Sequence, residues 1–370
     1  MTFGPGRQVW ERFGHNAIWI HDPAHGTDEA YNYGLFDFHQ ENFLLRFVRG
    51  QMWYWMAGFP AQDYVGQYRQ DNRSVWVQEL ELPVDASLQL QQFLQWNAEP
   101  EHRFYHYDYY RDNCSTRVRD AIDRVLNGAL RAQTEQVPTG ATYRFHTQRL
   151  TANDPLVFTG LLLALGEKVD RPISAWDEMF LPLRMREHVR RVTVPGPAGS
   201  RLPLVRSERT LFESSAAPPP EVPPSWLRWY LAIGAAIGGA ALVLASRARE
   251  HAPARAGFLV LAGGWAIAAG LAGLVLAGLW GLTDHVMAAC NENLLQANPL
   301  ALLLVPGILA AGRGGRAVRF AARWAPVVAG LSLLGLLLKA VPGFDQVNGP
   351  VIALALPAHL GIAAALRRLA

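Results

Sequence analysis

Chemistry-bearing residues concentrate first in the stretch Y-H-Y-D-Y-Y-R-D-N-C-S-T-R-V-R-D, residues 105–120. It holds Cys114, one of two cysteines in the chain, and leads into a helical pattern in which Val118, Ile122 and Val125 recur, with Leu126 close behind. The spacing predicts a helix starting at Asn113 or Ser115. A thiol in its first turn would face unpaired N–H groups and the positive end of the helix dipole. Arg111 and Arg117 add positive charge. These are conditions that lower a thiol pKa and favour a thiolate nucleophile. The competing reading is a small buried apolar side chain, the common fate of a free cysteine.

A thiolate needs a base, and of 11 histidines His15 has the most suitable setting. F-G-H-N-A-I-W-I reads as a strand entered through a glycine, with His15, Ala17 and Trp19 on one face. A strand is a stiff mount for an imidazole, the usual partner of a reactive thiol. A second strand, A-Y-N-Y-G-L-F-D-F, follows the turn H-D-P-A-H-G-T-D. In a hairpin of the two, Asn32 or Asp37 could orient the ring as the third member of a triad.

The blocks G-H-N-A-I-W-I, Y-N-Y-G-L-F-D-F, Y-D-Y-Y-R-D-N-C-S-T-R-V-R-D and N-E-N-L-L-Q-A-N-P-L resemble the Lnb-type bacterial lipoprotein N-acyltransferases. The resemblance covers most of the chain in scattered blocks. It implies a periplasmic domain similar to permuted papain-like, NlpC-like thiol enzymes, in which histidine precedes cysteine, an order shared with lecithin:retinol acyltransferase. His15 and Cys114 match the catalytic pair, and the third polar residue stays open. The implied fold class is α+β, a permuted papain-like thiol domain followed by an α-helical membrane domain of about five spans.

The elements that must carry this chemistry fall into two regions. Net charge is +3 and charged residues make up 18 % of the 370, with no long basic run, which argues against nucleic acid as a partner. Two cysteines without a C-x-x-C suggest neither a disulfide framework nor a zinc site. Cys114 and Cys290 could pair in an oxidising compartment, but a free Cys114 is the expectation. No metal, nucleotide or other cofactor motif is visible. M-W-Y-W-M at 52–56 reads as a buried strand, or alternatively as residues that hold an acyl chain or rest at a lipid interface. D-P-L-V-F-T-G-L-L-L-A-L-G is apolar but too short to span a bilayer, so a buried or interfacial helix is expected there. A Pro-rich linker is expected over 195–225, between a thiol domain at 1–194 and a membrane domain at 226–370.

Trp229–Ser246 and Ala256–Trp280 contain no charged residue, and three weaker candidates follow at 294–312, 324–341 and 349–366, interrupted by Pro306, Pro326 and Pro357. That makes five expected spans (229–246, 256–280 and these three), since proline is tolerated in spanning helices. Arg247, Arg249 and Arg255 follow the first, Arg313, Arg316, Arg319 and Arg323 the third, and Arg367 and Arg368 the last. Positive charge stays inside, so the thiol domain faces the periplasm and the C-terminus the cytoplasm, in a multi-pass protein of the inner membrane. The start M-T-F-G-P-G-R-Q carries no apolar export signal, so either the start is truncated or the first span drives export. The outer loop between spans two and three carries His285, Asn291, Asn293 and Asn298, costly beside lipid unless used, and is expected to form a substrate mouth.

The expected activity follows from the resemblance: an acyl chain passes from a lipid donor through a Cys114 thioester to the N-terminal amine of a lipoprotein. N–H groups at the helix start, Asn113 and Ser115, with a hydroxyl of Tyr109 or Tyr110, would hold the oxyanion. The partners are membrane phospholipid and lipoprotein substrates; oligomeric state is not legible. A cysteine peptidase or amidase acting on peptidoglycan stems is the rival, and a non-catalytic binding module on a membrane base ranks third.

Overall fold

The computed structural model describes every residue except Phe38 and Gln40. It divides into two compact units: Met1–Asn153 with Pro172–Val222, and Asp154–Arg171 with Pro223–Ala370.

The first unit is built on β1 (Thr2–Phe3), β2 (His15–Asp22), β3 (Thr27–Leu35), β4 (Trp53–Pro60), β5 (Val75–Leu80) and β6 (Phe104–His106). Two short pairs follow, β7 (Pro138–Thr142) with β8 (Pro172–Ser174) and β9 (Thr193–Pro195) with β10 (Arg201–Pro203), and then β11 (Val205–Phe212). The main sheet runs β11-β5-β1-β2-β3-β4-β6, and its neighbours are antiparallel. Strand alternation serves two cores. Ile18 and Tyr31 point to one, with Met56 and with Val118, Ile122 and Val125 of helix α4 (Cys114–Val125). Ala17 and Ala30 point to the other, against Tyr64, Val65 and Tyr68 of α2 (Ala61–Gln70). Helices α1 (Phe43–Arg49) and α3 (Val84–Ala98) complete the first half of this unit. Burial of an Ile or Val contributes about 1.5–3 kcal/mol, so Ile122→Ala, cutting the seam between α4 and the sheet, costs roughly 2–5 kcal/mol.

The stretch expected to be linker is largely folded. β9 and β10 form a hairpin that places Pro195 opposite Arg201, and β11 pairs with β5 along the edge of the main sheet. Pro195 and Pro203 sit at strand ends, where they lose no ladder bond, while the proline cluster at 218–224 lies in the remaining irregular part. Helix and strand are missing only from 213–226.

The second unit takes in α7 (Pro155–Ala164), whose Phe158 and Leu162 pack with Tyr230 and Val351. The thiol unit is therefore interrupted in sequence, and 1–194 is not one continuous domain. Among the described residues, four helices are long and apolar enough to cross a membrane: Leu227–Arg247, Ala252–Leu282, Arg316–Ala340 and Gly349–Leu369. The expected third of five, 294–312, is instead a 3-10 turn at Glu292–Leu295, a 3-10 stretch at Pro299–Leu304 and a short α-helix at Val305–Leu309. Pro299 and Pro306 remove the amides a continuous α-helix needs. The segment still lies along Ala252–Leu282, with Ala297 and Asn298 against Gly273, Leu302 against Gly270, and Gly312 against Arg255. Small residues allow close approach elsewhere too: Gly234 abuts the carbonyls of Ala353 and Leu354, and Gly238 meets Gly361.

Candidate active site

Cys114 is the first residue of α4, and Asn113 is its cap. The Asn113 side chain accepts from the Ser115 and Thr116 N–H groups, both at 2.9 Å, and donates to the carbonyls of Tyr109 and Phe180, both at 3.0 Å. Ser115 Oγ donates to the Met179 carbonyl at 2.6 Å and meets the Asn16 amide at 2.9 Å. That last contact ties the strand carrying His15 to the helix carrying Cys114.

His15 and Cys114 both border the space left at position 34, which lacks a side chain. A β-carbon built on Gly34, whose φ is +94°, would lie 3.2 Å from Cys114 Cβ, 3.8 Å from His15 Cε1 and 4.0 Å from the Tyr105 hydroxyl. His15 Nε2 is hydrogen-bonded to Asn32 Oδ1. With Nε2–H donating to an acceptor-only oxygen, Nδ1 keeps the lone pair a base requires. Tyr68 lies nearly parallel to the imidazole at 6.3 Å and itself stacks on Phe3 at 3.9 Å.

Electrostatics differ from the sequence expectation. Burial pushes the Cys114 thiol up to about 11, outweighing the N–H groups of Asn16, Ser115 and Cys114 and the charge of Arg73, all of which favour thiolate. Burial likewise pushes His15 down to about 4, against the Asn32 hydrogen bond and with the Arg73 charge adding to the fall. Loss of hydration thus overrides the helix N-terminus. The resting couple is neutral thiol and neutral imidazole.

Of the expected residues, the structure brings together Cys114, His15 and Asn32, with Asn113 and Ser115 as their support. Asp37 is exposed and bonded to His39, so of the two candidates it is Asn32 that meets the imidazole. Tyr110 donates or accepts at Thr147 Oγ1, 2.8 Å away, and Tyr109 is 48 % exposed; neither has its hydroxyl placed at the thiol. Tyr105 takes that place. Its hydroxyl is buried and has no hydrogen-bond partner among the described residues, while Arg117 lies 4.2 Å over its ring and is itself paired with Asp112. Strand alternation from Phe104 to His106 was the signal that could have singled it out. Arg73 was also missed: it reads as part of a turn, yet it is buried, donates to the Gly4 carbonyl at 3.0 Å and lies 4.6 Å over Tyr68.

In the second unit, Asn291, Asn293 and Asn298 are buried rather than set at an open mouth. Asn291 Nδ2 donates to the Leu163 and Ala164 carbonyls at 2.8 and 3.0 Å, and Asn293 Nδ2 to those of Leu162 and Leu163 at 3.0 Å. They satisfy the last carbonyls of α7, which a membrane setting would otherwise leave orphaned. His285 is half-buried just before a 3-10 turn. Cys114 and Cys290 are both free thiols.

An α/β unit with a sheet, followed in the chain by helices long and apolar enough to cross a membrane, defines a membrane protein with a folded extramembrane domain. Residues 1–149 match the family model of the Lnb N-terminal periplasmic domain, and residues 254–356 match that of the Lnb transmembrane domain. The chain belongs to the Lnb family, and is a multi-pass inner-membrane protein with a periplasmic N-terminal domain. No curated protein and no solved structure matches it.

Proposed function

We propose that the protein is a membrane-bound thiol acyltransferase of the permuted papain-like kind, moving an acyl chain from a lipid donor to the N-terminal amine of lipoproteins. The observation that carries this is the space at Gly34, bordered by the Cys114 β-carbon, the His15 ring and the Tyr105 hydroxyl, in a chain whose other half is rich in apolar helix. His15 Nδ1 takes the Cys114 proton as sulfur attacks the ester carbonyl. Because both groups are neutral at rest, proton transfer accompanies attack, so no charged pair persists in the buried site. The oxyanion is stabilised by the N–H groups that face the sulfur, from Asn16 and Ser115, and by the Tyr105 hydroxyl. The ester C–O bond breaks, His15 returns the proton to the departing alcohol, and a thioester remains on Cys114. The lipoprotein amine then attacks, passes a proton to His15, and expels the sulfur, which is reprotonated. Donor and acceptor are both lipid-anchored, which fits a soluble thiol unit fused to spans with the C-terminus on the cytoplasmic side.

Replacement of Cys114 by Ala tests the reading, with lipoprotein N-termini analysed by mass spectrometry in cells depending on this chain. N-acylation is expected to fall by roughly a thousandfold or more. Unchanged N-acylation would end the proposal.

A further inference from the structure

Among the described residues, α1 is unlike the other α-helices of the first unit, because none of its residues is buried. Leu44 is 72 % exposed, Leu45 48 %, Phe47 45 % and Val48 50 %. Its charged residues are Arg46 and Arg49, and it has no acidic one. Four large apolar side chains displayed together on a short helix are costly in water and mark an interaction surface. The helix ends on Gly50, whose φ of +74° lets its N–H close onto the Arg46 and Phe47 carbonyls, so the segment is a formed helix and not a frayed loop.

Next to it lies a groove of about 610 Å³ lined by Trp53, Trp55 and Phe104 together with Arg46 and Arg103; Asp37 and Glu41 also line it. A second cavity of about 290 Å³ shares Arg46 and Trp53 and adds Leu45 and Arg49. Alternation along β4 sends Tyr54 and Met56 into the thiol-side core, so Trp53 and Trp55 face away from it. Arg103 Nε is buried with no hydrogen-bond partner among the described residues, and its guanidinium lies 5.0 Å over Phe104. Tryptophan with apolar helix surface and arginine is the composition that rests at a bilayer interface: rings and aliphatic groups at the acyl boundary, guanidinium groups on phosphates.

We propose that Phe43–Arg49 and the aromatic groove beside it form a docking surface for an anionic phospholipid leaflet. Arg46, Arg49 and Arg103 take headgroup phosphate, while Leu44, Leu45 and Val48 enter the acyl boundary. The arginines set the preference for anionic lipid, and the spans of the same chain guarantee that lipid is within tether range. Phe36 and Tyr54, which flank this excursion of the chain, meet with ring centroids 5.2 Å apart and planes tilted by 38°, next to the thiol-side core. Docking here would therefore present the lipid to the same end of the sheet that carries Gly34. The docking claim does not depend on acyl transfer.

The test uses the full chain with Cys114→Ser and Cys290→Ser, labelled at Leu44→Cys with an environment-sensitive fluorophore. A second sample is labelled at Val84→Cys, a position 75 % exposed on the same unit. Both are reconstituted in nanodiscs of phosphatidylcholine with or without phosphatidylglycerol, plus spin-labelled quencher lipid. The expected result is several-fold stronger quenching at position 44 than at 84, increased by phosphatidylglycerol and reduced by Arg46→Gln with Arg49→Gln. Equal quenching at the two positions overturns the docking surface. Strong quenching at 44 that ignores both phosphatidylglycerol and the arginines overturns the anionic preference.

Discussion

Two histidine sites in the thiol unit, one half-buried and one buried, invite comparison. His15 faces a neutral amide, Asn32, and burial pushes it down to about 4. His146 on α6 (Tyr143–Leu150) and His188 on α9 (Pro182–Val189) instead face one carboxylate, Glu178, at 2.7 and 2.6 Å. Burial raises the Glu178 carboxyl, but the two histidine hydrogen bonds prevail and hold it down to about 2. His146 also accepts from Arg149 Nε at 3.0 Å, leaving neither of its nitrogens available as a base. On the proposed reading, the difference separates a histidine free to act as a base from histidines that hold the fold. One ring has an amide on Nε2 and a thiol-facing void at its side, while the others are saturated by partners and hold the fold together.

That contrast can be broken by substitution. The largest effect belongs to His15→Gln, which removes the base and lowers acyl transfer roughly a hundredfold or more, whereas His146→Gln should leave the rate per folded molecule unchanged. Rates normalised to folded protein check both; equal losses would erase the distinction. Next, Asn32→Asp places a carboxylate where the amide stood and raises the His15 pKa. The acid limb of the pH–rate profile then moves to higher pH, and alkylation of Cys114 near neutrality speeds up as imidazolium supports thiolate. An unmoved limb would mean that Asn32 does not govern this ring.

The smallest catalytic effect is expected from Glu178→Gln, whose damage is to stability. Truncating a buried, histidine-paired carboxylate costs roughly 2–4 kcal/mol, read as a lower melting temperature with an unchanged pH–rate profile. The signs of the acid response separate the sites. His15 is depressed in the folded state, so the unfolded chain binds its proton first, and stability falls as pH drops from about 6.5 toward 4. Glu178 is depressed as well, so its contribution persists above about 4.5 and is lost as pH falls toward 2. His15→Gln should flatten the first phase and Glu178→Gln the second in thermal melts across pH.

Much of the site was legible because it rests on local patterns. Helical spacing after Cys114 located α4 to within a residue, and alternation around His15 gave β2. Asn32 and Asp37 could not be separated, since only the β2–β3 register, which pairs Ala17 with Asn32, decides which faces the imidazole. Tyr105 and Arg73 escaped because their significance lies in contacts between distant segments. The thiol pKa was expected low from the helix N-terminus and is high, since sequence reveals the dipole but not the depth of burial. In the membrane part, apolar length gave four helices well, while Pro299 and Pro306 broke the third candidate into short 3-10 and α-helical pieces. Asn291 and Asn293 looked available to a substrate because their acceptors, carbonyls ending α7, lie more than a hundred residues earlier.

The most direct measurement is of the covalent intermediate itself. Purified full-length protein mixed with a diacyl phospholipid, without acceptor amine, is quenched in acid and its Cys114 peptide weighed. An acyl adduct on Cys114 that hydroxylamine removes, and that His15→Gln strongly slows, is the predicted result. Transfer to an added lipoprotein amine while the Cys114 peptide never carries an acyl group would contradict the account.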